Sequence, residues 1–152
     1  MADLTYDAHI AWSGLAREGE GIVALGVAEV PYSAPADMGG KGEGTSPEQL
    51  LLAAVGSCYS ATLYRSLQRA GLPVSRVATR VVGTVADFPR MAHVSRVVVH
   101  PVVVGADATR LEDYRDQALA SRDQCLIGKA IRGSVDYEVG EVQVEVGISA
   151  SL

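Results

Sequence analysis

Two cysteines, Cys58 and Cys125, are the residues of this chain best suited to covalent chemistry, and they stand 67 positions apart. A thiol is a nucleophile only as its thiolate, so reactivity requires a cation or hydrogen-bond donors beside the sulfur. Neither cysteine belongs to a Cys-x-x-Cys motif. Cys58 has Ala54, Val55, Ala61 and Thr62 as neighbours at helical spacing, a setting in which a thiol ordinarily serves as a small hydrophobe. Cys125 precedes Lys129 and Arg132. Spacing alone places neither of these, nor Arg17, beside a sulfur, so inert and reactive readings both stand.

Other candidates carry less. His9, His93 and His100 are scattered over strand-like segments without a ligand spacing and read as ordinary strand histidines. Ser57 and Ser60 lack the Gly-x-Ser-x-Gly context of a nucleophile elbow. The glycine-rich run Met38-Gly-Gly-Lys-Gly-Glu-Gly-Thr45 precedes a helix start, where an anion could bind. A phosphate loop, however, needs Gly-Lys-Ser/Thr, and here Lys41 is followed by Gly42 and by Glu43, which would repel a phosphate.

The elements that must position the thiols can be read from patterning. Ala8 to Trp12 and Ile22 to Val30 read as strands flanking a hairpin loop, Gly14 to Gly21, with Pro31 ending the second strand. Ser46 is a good N-cap, Pro47 suits the first helical position, and Gln49 stands where a capping box wants it. The helix that follows runs through Leu67 and stops at Gly71. Leu50, Leu51, Leu52, Ala53, Ala54 and Val55 wrap most of its circumference, so it should be buried on all sides. A chain of 152 residues cannot easily do this alone, which points to a dimer interface. Val74 to Val104 reads as a strand pair turning at Asp87 to Arg90. A second helix starts near Asp107 with Leu111, Tyr114, Ala118 and Leu119 at helical spacing. Cys125 to Ile131 continues it as a turn or short helix. Val135 to Ile148 reads as one long strand. The expectation is a single α+β domain, residues 1–152: antiparallel sheets around a long buried central helix.

Composition narrows the function classes. The chain is 48% hydrophobic and 20% charged, with a formal net charge of −5. It has no basic cluster, which argues against nucleic acid. No apolar run approaches the roughly 20 residues of a membrane span, and the first residues lack the basic and apolar regions of a signal peptide. The expectation is a soluble, cytoplasmic protein without membrane contact. Two cysteines are too few for a disulfide scaffold.

Three segments together resemble the osmotically inducible protein C and organic hydroperoxide resistance (OsmC/Ohr) family. The most specific runs from Met38 through Thr45-Ser-Pro-Glu-Gln-Leu50 to Gly56-Ser-Cys58 and is similar to the family's glycine loop, helix start and first cysteine. Cys125-Leu-Ile-Gly-Lys-Ala-Ile-Arg-Gly-Ser-Val-Asp136 resembles its second-cysteine segment. Gly14-Leu-Ala-Arg-Glu-Gly19 looks like the hairpin loop that carries the family's arginine. Leu126 stands where the hydroperoxide branch usually has Pro. Ser46 and Ser134 replace Asn, and Leu51 or Leu52 replaces a common aromatic.

The resemblance implies an intertwined homodimer and a thiol-dependent peroxidase acting on organic hydroperoxides. By it, Cys58 is the peroxidatic thiol and Cys125 the resolving one. Arg17 would hold Cys58 as thiolate, Glu48 would orient Arg17, and a dithiol reductant of lipoyl type would reopen the disulfide. No metal or other cofactor is expected beyond the redox-active cysteine pair. Glu48 and Cys58 lie ten residues apart on one helix, about 15 Å along its axis, which one subunit cannot easily bring to one site; the resemblance implies that Arg17 and Glu48 come from the partner subunit. Met38, Leu51, Leu52, Val55 and Ile127 would line an apolar substrate pocket. The alternative from a different class is a protein of the same fold that binds an apolar ligand, or serves a structural role, without turnover.

Overall fold

Three short strands make the first sheet of the computed structural model, which describes residues 1–147: β1 (His9–Ser13), β2 (Glu20–Leu25) and β3 (Ala28–Ser33). They pair antiparallel in that order. The expected single strand from Ile22 to Val30 is therefore two, folded back at Gly26, whose φ of 59° suits the turn. Pro31 lies inside β3 opposite Ile22 rather than after a strand. It is tolerated there because β3 is an edge strand and a missing N–H can face outward.

The chain groups into two compact units, Met1–Leu51 and the part from Leu52 onward. The helix α1 (Pro47–Arg69) begins in the first and continues in the second. Its start follows the sequence: Ser46 Oγ accepts the Gln49 N–H at 3.2 Å, and Pro47 is the first helical residue. The reciprocal half of the capping box is not made, because the Gln49 side chain takes the Thr45 hydroxyl instead, at 3.3 Å.

In the second unit, α1 packs Val55, Tyr59, Leu63 and Leu67 into an apolar core with Val97, Val99 and Val103. Those valines belong to β5 (His93–Val104), which pairs antiparallel with β4 (Arg76–Ala86). Next come α2 (Leu111–Gln124), which adds Tyr114 and Ala118 to the core, and α3 (Leu126–Ile131). Asp107 caps the turn that leads into α2 by accepting the Thr109 N–H at 3.0 Å.

Two expectations are corrected here. The second sheet is mixed, since β6 (Asp136–Val139) and β7 (Gln143–Glu145) both run parallel to β5. The long closing strand is also broken. β6 pairs with β5 as far as Val99, and β7 resumes at Val102. Between them stands Pro101, which has no N–H for a ladder, so the neighbouring chain departs there. Gly140 N–H reaches Val99 O at 2.9 Å, and Glu141 N–H donates to His100 Nδ1 at 3.2 Å. Ile148, the expected end of that strand, lies outside the described residues.

α1 is not buried on all sides within the chain. The face opposite the core, with Ala53, Ala54, Ser57 and Ala61, is exposed. Among the described residues, no helix is long and apolar enough to cross a membrane.

Candidate functional site

Cys58 and Cys125 meet. Cys58 lies midway along α1, half-buried against the core. Cys125 is fully buried at the junction of α2 and α3. α2 ends there because Cys125 turns extended (φ −61°, ψ 122°), and its sulfur caps α3 by accepting the Gly128 N–H at 3.4 Å. Both thiols are free.

The surroundings push the two thiols in opposite directions. Burial raises the pKa of Cys58, but donors outweigh it: the backbone N–H of Ile127, the Cys125 thiol, the backbone N–H of Leu126 and the Thr62 side chain. The net effect holds Cys58 below the ordinary thiol value. Thr62 is one turn farther along α1, where its hydroxyl also donates to Cys58 O at 2.8 Å. For Cys125, burial comes first and the hydrogen bond given to Cys58 second; both raise it, and the Gly128 N–H only partly offsets them. The two sulfurs interact, and the pair is thus polarised, Cys58 toward the thiolate and Cys125 toward the thiol. A lowered thiol pKa enlarges the share of nucleophilic thiolate at a given pH.

Sequence reasoning missed the groups around this pair. Tyr137 on β6 is buried, and its ring fills the space beside Gly128, where any Cβ would collide with the ring edge. Its hydroxyl has no hydrogen-bond partner among the described residues. Burial, and after it the nearness of Cys125, push the Tyr137 phenol well above its usual value. Tyr59 is fully buried and donates to Ala118 O at 2.9 Å. Arg122 is the cation that acts on Tyr59 and Tyr137, and it is held by Asp123 at 3.0 Å. Lys129 is exposed, and Arg132 pairs with Asp123 at 2.7 Å. The one available signal was Gly128: glycine in a helical run often marks a close approach.

Of the expected pocket residues in the second unit, Leu52 and Ile127 are half-buried against the same core as Cys58, and Leu52 covers Gly83. Val55 is wholly enclosed.

The first unit holds the other expected residues. Arg17 is exposed in a 3-10 turn, Ala16–Glu18, between β1 and β2, with its Nε beside Gly39 of the glycine loop. That loop is pinned to β3. Buried Ser33 donates to Glu43 O at 2.7 Å and accepts Glu43 N–H at 2.9 Å, and Ser33 N–H reaches Thr45 O at 3.0 Å. Gly42 (φ 65°) and Gly44 (φ 68°) supply the left-handed turns this path demands. Lys41 reaches back to Glu20 at 2.6 Å. Glu48, in the first turn of α1, has a buried carboxylate oxygen without a hydrogen-bond partner among the described residues. No ion pair joins Arg17 to Glu48 among the described residues. Met38 and Leu51 are half-buried.

Comparison with known proteins bears on the family and the fold. Residues 40–140 match the family model described as OsmC-like protein, a span that contains α1 and both cysteines. The uncharacterized protein YmaD of Bacillus subtilis is 30% identical, over 97% of this chain and 99% of that protein. An organic hydroperoxide resistance protein OsmC from Legionella pneumophila, described as a predicted redox protein and regulator of sulfide bond formation, superposes with a TM-score of 0.73. It is 21% identical, covering 93% of this chain and all of that one. An organic hydroperoxide resistance protein from Elizabethkingia anophelis superposes at 0.67 with 18% identity, over 96% of this chain and all of its own. The fold, the glycine loop leading into α1 and the extent of these matches place the chain in the OsmC/Ohr family.

Proposed function

We propose that this protein is a two-cysteine peroxidase that reduces organic hydroperoxides to alcohols. The observation that carries the reading is the contact between two thiols 67 residues apart, one held below and one above the ordinary thiol value. The similarity to proteins named for organic hydroperoxide resistance supports it.

The Cys58 thiolate attacks the terminal oxygen of the hydroperoxide. The O–O bond breaks, the alkoxide leaves and takes a proton as the alcohol, and Cys58 becomes a sulfenic acid. Cys125, as thiolate, then attacks the Cys58 sulfur. The S–S bond forms and hydroxide departs, protonated to water. A dithiol reductant, of lipoyl type in this reading, returns two electrons and two protons by exchange through a mixed disulfide. No metal or organic cofactor takes part. A compartment that keeps both thiols reduced, the cytoplasm, suits the cycle.

In this reading two chains form an intertwined homodimer, and Arg17 and Glu48 of the partner subunit complete each site. Arg17 steadies the thiolate and polarises the peroxide, and Glu48 orients Arg17. The buried Glu48 oxygen that lacks a partner in the single chain, and the exposed small-residue face of α1, are the observations that favour a second chain. Leu52 and Ile127 form the apolar wall that favours organic over hydrogen peroxide.

Free-thiol titration before and after one equivalent of cumene hydroperoxide tests the proposal. Wild type is expected to lose both thiols, Cys58→Ser to keep its remaining thiol, and Cys125→Ser to lose Cys58 as sulfenic acid. Oxidation of Cys58 should persist as pH falls below the ordinary thiol range and fade only as pH falls through the lowered value of Cys58 itself. Two titratable thiols remaining in the wild type would end the peroxidase reading.

A further inference from the structure

The Tyr137 hydroxyl is a buried donor that neighbours the Cys125 sulfur, a weak acceptor while Cys125 is a neutral thiol. The residue is only 8% exposed, and its hydroxyl finds no hydrogen-bond partner among the described residues. Leaving such a group without a strong partner is costly, so it needs an explanation. Its place is set by two contacts. β6 runs in register with β5, Tyr137 beside Val97, and the ring lies against Gly128. Gly128 N–H is in turn bonded to the Cys125 sulfur at 3.4 Å. The phenol therefore stands over the sulfur that caps α3.

We infer that Tyr137 donates its O–H to Cys125 when Cys125 ionises to attack the oxidised Cys58, and that it thereby sets the rate at which the disulfide closes. This rests on the peroxidase reading above. In the resting pair the Cys125 sulfur interacts with Cys58 and accepts the Gly128 N–H, and it offers Tyr137 only a weak acceptor. Once Cys58 is a sulfenic acid, Cys125 must lose its proton inside a buried site, and burial opposes that. A phenol held in its protonated form by burial and by Cys125 itself is a donor that does not compete for the charge. The same bond would stabilise Cys125 as the leaving thiolate when the dithiol reductant attacks the Cys58 sulfur. The titratable groups that interact with Cys125 are Cys58 and Tyr59 from α1 and Tyr137 from β6, and Arg122 from α2 acts on the two tyrosines.

Tyr137→Phe keeps the ring against Gly128 and removes only the donor. In a Cys58→Ser background, with cysteine labelled at the β-carbon, the carbon NMR signal reports the titration of Cys125 alone. Tyr137→Phe should move that titration upward by roughly one pH unit, the size of one hydrogen bond to a charged group. In the two-cysteine protein, disulfide closure after stoichiometric cumene hydroperoxide should slow about 3-fold at pH 7. Tenfold less thiolate is partly offset by its greater nucleophilicity. Dimedone should trap correspondingly more sulfenic acid, while loss of the first thiol keeps its rate. An unchanged Cys125 titration overturns the inference whatever the peroxide data show. A shifted titration in a protein that never forms sulfenic acid keeps the hydrogen bond and removes the peroxidase reading instead.

Discussion

The two units of the chain bury themselves to very different degrees. In the second, Val55, Tyr59, Leu63, Leu67, Val97, Val99, Val103 and Tyr114 are all fully enclosed. In the first, Val23 is the only buried hydrophobic among the described residues, while Ile10, Trp12, Ile22, Leu25 and Val27 are exposed. A cavity of about 510 Å³ opens on the three-stranded sheet between Trp12, Ile22 and Tyr32. The first unit keeps its shape by other means. Its loop is tied by hydrogen bonds to Ser33, and the Trp12 and Tyr32 rings sit 5.3 Å apart. A three-stranded sheet with an uncovered apolar face is marginal alone. The comparison teaches that the thiol pair belongs to the well-buried unit, whereas Arg17 and Glu48 belong to the unit whose apolar side chains are largely exposed.

The comparison can be broken or sharpened at three points. Leu63→Ala in the second unit should cost about 2–5 kcal/mol, read as a lowered urea midpoint. A loss under 1 kcal/mol would mean that the core is far looser than its burial indicates. On the first unit, Ile22→Glu tests whether the exposed sheet face takes part in the proposed dimer. Sedimentation should then show association weakened roughly 100-fold, about 3 kcal/mol, with the far-ultraviolet spectrum retained. An unaltered mass would make that sheet face a solvated surface. The smallest effect is at the junction. Ser46→Ala removes the cap at which α1 begins and should cost about 1 kcal/mol of stability. No measurable change there would mean that packing alone holds the helix start.

What was legible in the sequence was local. The start of α1 at Ser46-Pro47 and its end before Gly71 follow from capping and from glycine, both decided within a few residues. β4 and β5 follow from runs of β-branched residues. The hairpin at Gly26-Val27 was missed because Val27 disguises the turn within an apolar run. The break at Gly140 was missed because its cause, Pro101, lies forty residues away on another strand. At the candidate site the cysteines were legible as residues, but Tyr137, Thr62, Arg122 and the N–H groups of Leu126 and Ile127 were not. Those groups come from three helices and a strand.

The amino-acid order alone thus determined which residues could react, where the helices begin and end, and the family resemblance, since residue type and short spacing set all three. Only the tertiary structure decided that the two sulfurs meet, and that the pKa of one is lowered while that of the other is raised. The charge on a thiol depends on the donors around it and on the water removed from it. Those donors are brought to Cys58 by the packing of α1 against α3, which spacing along the chain does not encode.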